Sequence, residues 1–249
     1  MTTRYDVYGL GNALVDIEYE VDDAFLAAHD IAKGHMTLVE AERQHELVDI
    51  LDGHEPRRGS GGSAANTLIA VSGFGGRAYY SCKVADDELG RFFVRDLLAA
   101  GVDTNADQHH GDGDSGRCLV FVTPDAERTM NTCLGISGSL SRANVNEEAL
   151  ASSSFLYMEG YLCTSDTARP ALVDAHALAR EAGVRVAATL SDPAMPEFFA
   201  PQLKEMLGDH VDHLFCNAEE AVLWTGEQDE NAAVEALKDF ADTFAITRG

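Results

Sequence analysis

The sequence predicts an α/β fold, a parallel sheet covered by helices on both faces, with a small separate β-sheet beside it. Three observations carry that expectation. Short apolar runs alternate with helical patterns along most of the chain, which is the βαβ rhythm of a parallel, helix-covered sheet. Polar residues follow the apolar runs, with Asn12 and Asp16 after the first, Glu159 after Met158, Asn217 after Cys216 and Arg248 after Thr247. Those positions lie beyond the carboxyl ends of strands, where such sheets bind ligands. Finally, two blocks alternate apolar and polar residues with period two, the mark of half-exposed strands that belong to a different sheet.

Taken in order, Tyr5–Leu10 is a short apolar run ending at Gly9 and Gly11, a buried strand whose tip turns sharply. Val15, Ile17, Tyr19 and Val21 alternate with Asp16, Glu18 and Glu20, and Met36–Glu40 is a candidate neighbour for that strand. Helices are predicted over Ala64–Gly73, Asp87–Ala100, Asp166–Ala182 and Ala232–Ala241. Between them, strands are predicted at Ala78–Val84, Phe155–Met158, Val184–Leu190, His213–Cys216 and Phe244–Thr247. Cys118–Val122 and Arg128–Cys133, joined by the turn-rich Thr123-Pro124-Asp125-Ala126-Glu127, read as a hairpin. The organisation expected is one domain over residues 1–249, with lid strands at about 15–21, 36–40, 117–123 and 128–134.

Composition narrows the function. At 249 residues and 45% hydrophobic, the chain can bury a sizeable core. A balance of 18 basic against 42 acidic residues, net -24, disfavours nucleic acid and anionic membranes as partners because long-range repulsion opposes them. Only four lysines are present, and this arginine bias is compatible with a high-salt or high-GC source. Five cysteines, an odd number without a C-x-x-C pair, read as reduced core residues of a cytoplasmic protein. No window of eighteen uncharged apolar residues and no signal-peptide pattern is present, so membrane spanning and secretion are not expected. His210 and His213 form H-x-x-H without a third ligand at suitable spacing, and His109-His110 lies in a polar loop; neither pair reads as a metal site. No G-x-x-x-x-G-K-[ST] motif occurs, which excludes a P-loop.

The densest motif is Gly61-Gly62-Ser63-Ala64-Ala65-Asn66-Thr67, paired glycines just where a helix begins. Taken alone it is also an ordinary loop and helix cap. The order and spacing of this run, the upstream Gly11, Asn12 and Asp16, and the downstream Asn217-Ala218-Glu219-Glu220 single out a site. The stretch GGSAANTLIAVSGFGGRAYYSCKVADDELG, Gly61–Gly90, resembles the first signature of the ribokinase (PfkB) family of sugar and nucleoside kinases. GLGNALVDIEYEV, MTLVE and ERTMNTCLG are most similar to its adenosine-kinase-like branch.

The resemblance implies a ribokinase-like fold and an ATP-dependent kinase. Such an enzyme passes the γ-phosphate to a primary hydroxyl of a nucleoside or sugar, adenosine first. A ribose or fructose kinase, or a non-catalytic nucleoside- or sugar-binding relative, are the alternatives. It implies that Asn12, Asp16, Gly61, Gly62 and Asn66 bind the sugar or ribose, and that Met36, Met130 and Leu134 flank a flat base or else fill the core of the lid. Asn217 and Glu220 would order Mg2+ through water beside the phosphates, and Thr247 and Gly249 would meet the nucleotide. Arg128 is either a phosphate contact or an exposed lid charge. The family's Gly-Ala-Gly-Asp segment, with the aspartate that acts as general base, is expected beyond Gly249, so no catalytic base is assigned in this chain. A homodimer formed through the lid is also expected.

Overall fold

The computed structural model describes residues 4–248, apart from positions 52, 54, 109 and 110. Among the described residues the strands are β1 (Tyr5–Leu10), β2 (Leu14–Glu20), β3 (Met36–Leu38), β4 (Arg57–Gly61), β5 (Ala78–Ser81), β6 (Val102–Thr104), β7 (Gly116–Val122), β8 (Arg128–Cys133), β9 (Ser153–Glu159), β10 (Arg185–Thr189), β11 (Val211–Asn217) and β12 (Ala241–Thr247). Seven of them build one sheet in the order β12-β11-β10-β9-β1-β5-β6, and every neighbouring pair runs parallel. From β1 the chain first builds outward through β5 and β6, then returns to the other side of β1 and builds through β9 to β12. The order therefore reverses between β1 and β9, and the carboxyl ends of those two strands are where such sheets receive a ligand.

Helices cover both faces of this sheet. Ser63–Gly73 and Glu88–Ala99 bring Leu68, Phe93 and Leu97 against Tyr80 and Val102. On the opposite face Ala168–Ala182, Ala200–Leu207, Ala218–Thr225 and Glu230–Leu237 bring Leu172, Leu203, Ala221 and Leu237 against Leu156, Val186 and Leu214. The ends of these helices are written locally. Asp87 caps Glu88–Ala99 by accepting from the Gly90 amide, and its other oxygen accepts from the Ser115 amide, so one carboxylate starts a helix and ties it to the strand β7. Gly183 stops Ala168–Ala182 at φ +71°, a conformation that favours glycine.

The remaining five strands form a mixed sheet in the order β3-β8-β7-β2-β4. β2 pairs parallel with β7 and antiparallel with β4; β8 pairs antiparallel with β7 and parallel with β3. Alternation gives this sheet two unlike faces: Val15, Ile17, Leu119 and Phe121 join the core, while Asp16, Glu18, Met130 and Leu38 point the other way.

Several boundaries differ from those read off the sequence. β4 was not expected, because Arg57-Arg58-Gly59-Ser60-Gly61 has no apolar alternation; it is a strand only because β2 offers it an edge to pair with. β6, only three residues long, was likewise not expected and rests on β5. The helix expected over Ala232–Ala241 spans Glu230–Leu237, capped by Asp229, and Ala241 already opens β12. The strand expected to reach Glu40 ends at Leu38. All five cysteines are free thiols, and among the described residues no helix is long and apolar enough to cross a membrane.

Leu172 is fully buried where Ala168–Ala182 meets the sheet. Leu172→Ala should cost about 2–5 kcal/mol by urea unfolding; a loss well under 1 kcal/mol would mean that this helix does not close that face.

Candidate functional site

The site is built where β1 ends. Beyond Leu10 the chain passes Gly11, whose replacement by any other residue would put a Cβ 2.5 Å from the Ala64 Cβ, 2.7 Å from the Tyr80 hydroxyl and 2.9 Å from Glu159 Cδ. The backbone must come this close because Asn12 and Glu159 are joined there. The amide N–H and the side-chain Nδ2 of Asn12 both donate to Glu159 Oε1, at 2.6 and 3.0 Å. Glu159 Oε2 accepts from the Ala64 amide at 2.9 Å, at the start of the helix Ser63–Gly73. A single carboxylate thus ties the tip of β1, the end of β9 and a helix N-terminus, where the helix dipole also favours negative charge. Asn12 is used inward: its Oδ1 accepts from Ser137 Oγ and its carbonyl from the Tyr80 hydroxyl.

Gly61 and Gly62 close the other side. Gly62 is the N-cap of the helix at φ +97°, and a Cβ there would fall on the Asn12 carbonyl oxygen. A Cβ on Gly61 would fall on the carboxylate of Asp16. The two glycines therefore have separate reasons: one supplies a left-handed turn against Asn12, the other leaves room for an acidic side chain. Asn66 lies on the first turn of the same helix with its side chain exposed, its amide bonded to the Gly62 carbonyl.

Asp16 stands opposite Gly59 on β4 and Cys118 on β7; Cys118 stands opposite Thr132, and Thr132 opposite Leu38. Two residues along, Glu18, Val120, Met130 and Met36 form the next row on the same face. Met36 and Leu38 are 37% and 61% exposed, so this apolar patch looks outward beside a carboxylate. Leu134, expected with them, is half-buried and lies just past β8. Arg128, on the same face and exposed, holds the Asp16 carboxyl down, but burial outweighs it and the nearby Glu18 adds to the upward shift.

In the seven-stranded sheet, at the carboxyl end of β11, Asn217 and Glu220 form a reciprocal cap of the helix Ala218–Thr225. Asn217 Oδ1 accepts from the Glu220 amide at 2.8 Å, while Glu220 Oε2 accepts from the Asn217 amide and Oε1 from Asn217 Nδ2. Glu220 is buried, and burial, with the charges of Asp192 and Glu219, raises its pKa. Thr247, exposed, ends β12 directly opposite Asn217. Arg248 is bonded to Glu230, and Gly249 lies outside the described residues. Among the described residues no group of three or more His, Cys, Asp or Glu side chains is placed to hold a metal ion. A magnesium ion that keeps its waters needs only one or two carboxylates, and Glu220, with Asp192 near enough to perturb it, meets that lesser demand.

The structure thus gathers Asn12, Asp16, Gly61 and Gly62 into one cluster, sets Met36 and Met130 on the face that carries Asp16, and puts Asn217, Glu220 and Thr247 in a second cluster three strands from β1. At about 4.8 Å per strand, β11, which ends at Asn217, runs roughly 14 Å from β1. Glu159, noticed in the sequence only as a residue that follows a strand, is the joint of the first cluster. Its signal was its place: an acidic residue at the end of a run as apolar as Phe155–Met158 is either exposed or tied down. Cys118, Thr132 and Leu38 were also missed, since only strand register shows which side they face. A cavity of about 680 Å³ at the outer end of the second sheet is lined by Glu20, Asp22, Phe25 and Thr123 and holds none of these residues.

Comparison with known proteins bears on this arrangement. A sequence profile described as pfkB family carbohydrate kinase matches residues 24–249. The guanosine-inosine kinase of Escherichia coli (strain K12) is 27% identical over 251 residues, covering 98% of this chain and 58% of that protein. The chain therefore spans little more than half the length of that relative. Among solved structures, the adenosine kinase from Sinorhizobium meliloti is 37% identical with a TM-score of 0.88, over 99% of this chain and 75% of that one. A probable sugar kinase from Rhizobium etli CFN 42 is 34% identical, again with a TM-score of 0.88, over 99% and 74%.

Glu159 is 1% exposed, and burial pushes its carboxyl up to about 7 against the three hydrogen bonds that favour the anion. A carboxyl raised on folding stabilises fully below its unfolded value of about 4.5 and loses that contribution as pH climbs to its folded value. Stability should therefore fall by about 3 kcal/mol between pH 4.5 and 7 on this account and then level off. Urea midpoints of the wild type and Glu159→Gln across pH 4.5–8 check this; identical pH profiles would show that Glu159 is not the group responsible. Gly61→Ala should cost about 1–3 kcal/mol by overpacking against Asp16, and an undiminished melting temperature would place the carboxylate elsewhere.

Proposed function

The chain belongs to the pfkB family of carbohydrate kinases, and from that premise we propose that it forms the acceptor-binding part of an ATP-dependent nucleoside kinase with adenosine as its first substrate. The observation that supports this reading best is the pairing of Asp16 with an apolar, outward-looking patch of Met36, Leu38 and Met130 on one face of the second sheet. A nucleoside presents two neighbouring ribose hydroxyls and a flat base, and a carboxylate flanked by apolar side chains matches both. A sugar alone would leave the patch uncovered.

Phosphoryl transfer asks the protein for alignment and charge neutralisation more than for covalent chemistry. In this reading Asp16 accepts hydrogen bonds from the ribose hydroxyls, the Gly61 and Gly62 backbone and the exposed Asn66 carboxamide complete the polyol pocket, and the second sheet covers the base as a lid. Asn12 holds the floor of that pocket from within. At the other cluster Thr247 meets phosphate, and Glu220, oriented by Asn217, holds the waters of a magnesium ion. Magnesium, when bound, neutralises the charge that builds on the transferring phosphoryl group. The edge strands β3 and β4 are the surface through which a second copy would pair.

A thermal-shift titration with adenosine, guanosine, ribose and fructose tests the substrate. A ligand at 100 times its Kd adds about 2.7 kcal/mol to the folded state, so adenosine should raise the melting temperature and the two free sugars should not. Asp16→Asn should weaken adenosine tenfold to a hundredfold, about 1.5–3 kcal/mol for bonds to a charged group. Stabilisation by ribose alone, or an Asp16→Asn variant that binds adenosine as tightly as the wild type, would remove the nucleoside reading.

A further inference from the structure

We propose that the side of β10, β11 and β12 turned away from the helix Ala168–Ala182 is a docking surface for a helical segment with a single apolar stripe. The occupant is polypeptide from outside residues 1–249, and its representative is the quarter of the Sinorhizobium meliloti adenosine kinase that lies outside the match with this chain. The inference rests on the fold and not on the reading of Asp16 as part of an acceptor site.

Strand register lays Tyr80, Gly9, Tyr157, Ala187, His213 and Thr243 in one row on this side of the sheet. Exposure climbs along the row, from 0% at Tyr80 through 6% at Tyr157 and 7% at Ala187 to a half-buried His213 and an exposed Thr243. In the next row Phe215, between Thr189 and Ala245, is 39% exposed although β11 is paired on both edges. Its ring meets those of Tyr157 and His213 at centroid distances of 6.2 and 4.4 Å. On the other side of the same strands Val186 and Leu214 are fully buried. Parallel sheets are stable with both faces covered, and this one has its second cover only as far as Ala187.

Topology gives the reason. From β9 to β12 each new strand is added on the same side of the last, so right-handed crossovers bring Ala168–Ala182, Ala200–Leu207, Ala218–Thr225 and Glu230–Leu237 to one face. The opposite march from β1 to β6 brings Ser63–Gly73 and Glu88–Ala99 to the other face, but over β1, β5 and β6. Every connection between the described strands of this sheet is used in that way. A cover for β11 and β12 on the open side has to come from another stretch of polypeptide.

What the surface presents suits a buried interface. The chain has 42 acidic residues, yet none stands on this side of β10, β11 or β12, because Asp212 and Asp242 alternate to the opposite side. The centres of protein interfaces are poor in charge in the same way. Three strands at about 4.8 Å make a strip about 14 Å wide, room for one helix about 10–12 Å across. One wall of the strip is the helix Ser63–Gly73, whose Ser63, Thr67 and Ala70 recur at helical spacing and are small and unburied. Thr67 Oγ1 donates to the Tyr157 hydroxyl at 3.4 Å, so that flank of the helix looks over the strip, and its small side chains let a second helix lie alongside. The Sinorhizobium meliloti enzyme shares the fold over 99% of this chain and has a further quarter of its own length to place.

The experiment co-expresses the tagged 249-residue chain with that untagged quarter of the Sinorhizobium meliloti kinase, and weighs what is purified by light scattering. The wild type should retain the fragment one to one. Phe215→Asp, which puts a charge in the middle of the strip, should cut retention at least about tenfold. Thr243→Lys, at a side chain already exposed, should do the same and keeps the test valid if Phe215→Asp fails to fold. Leu98→Asp, at an exposed apolar position on Glu88–Ala99, should leave retention unchanged. Joined after Gly249 in a single chain, the same quarter should raise the melting temperature, and Thr243→Lys should cancel the rise. A wild type that neither retains the fragment nor gains from the fusion overturns the proposal, as does equal retention by Phe215→Asp and Thr243→Lys. A wild-type dimer that Thr243→Lys turns into a monomer gives the surface to a second copy of the chain and overturns this occupant.

Discussion

The burial of Glu159 is the constraint on which the rest of the site depends. A carboxylate taken wholly out of water costs several kcal/mol unless its oxygens are occupied, and here they are occupied by donors from two different segments. The turn after β1 and the helix after β4 are far apart in sequence, and no apolar contact alone would fix their separation to a fraction of an ångström. A charged hydrogen-bond acceptor between them does. The close approach leaves no room for a side chain at three glycines, each for its own reason: Gly11 lies against Ala64 and Glu159, Gly61 against the Asp16 carboxylate and Gly62 against the Asn12 carbonyl.

The second sheet depends on this joint in turn. β2 leaves the turn that Glu159 holds, and β4 enters the helix that Glu159 caps, so their antiparallel pairing is set from the same point. Once Leu14 stands opposite Gly61, strand alternation puts Asp16 on the outward face with Met130 and Met36. A one-residue slip would turn Asp16 into the core that holds Val15 and Ile17. Register, and not the local chemistry of any one residue, gives the acidic group its apolar surroundings.

Burial raises the carboxyls of Asp16, Glu159 and Glu220 alike, but they are compensated differently. Asp16 is countered by the charge of Arg128, Glu159 by backbone and side-chain amides, and Glu220 by its own capping residue Asn217. The first lies on the outward face in the rows that also carry Met36 and Leu38. The second spends three acceptor positions on two separate segments and acts through them. The third turns both oxygens back to Asn217.

The sequence by itself determined the parallel sheet, because buried strands and covering helices impose different periods on the apolar residues and those periods are visible in any window of a dozen residues. It also showed polar residues just beyond apolar runs, Asn12 and Asp16 after the first, Asn217 after Cys216 and Arg248 after Thr247. The Asn217–Glu220 cap was legible as N-x-x-E, a pattern whose partners lie three residues apart. What only the tertiary structure decided is whatever depends on distant segments meeting. β4 has no strand pattern and exists because β2 gives it an edge. Cys118, Thr132 and Leu38 join the Asp16 face through register across four strands. Glu159 becomes the joint of the site because residues 12 and 64 converge on it from opposite sides, and hydrogen bonds of that range leave no trace in local sequence.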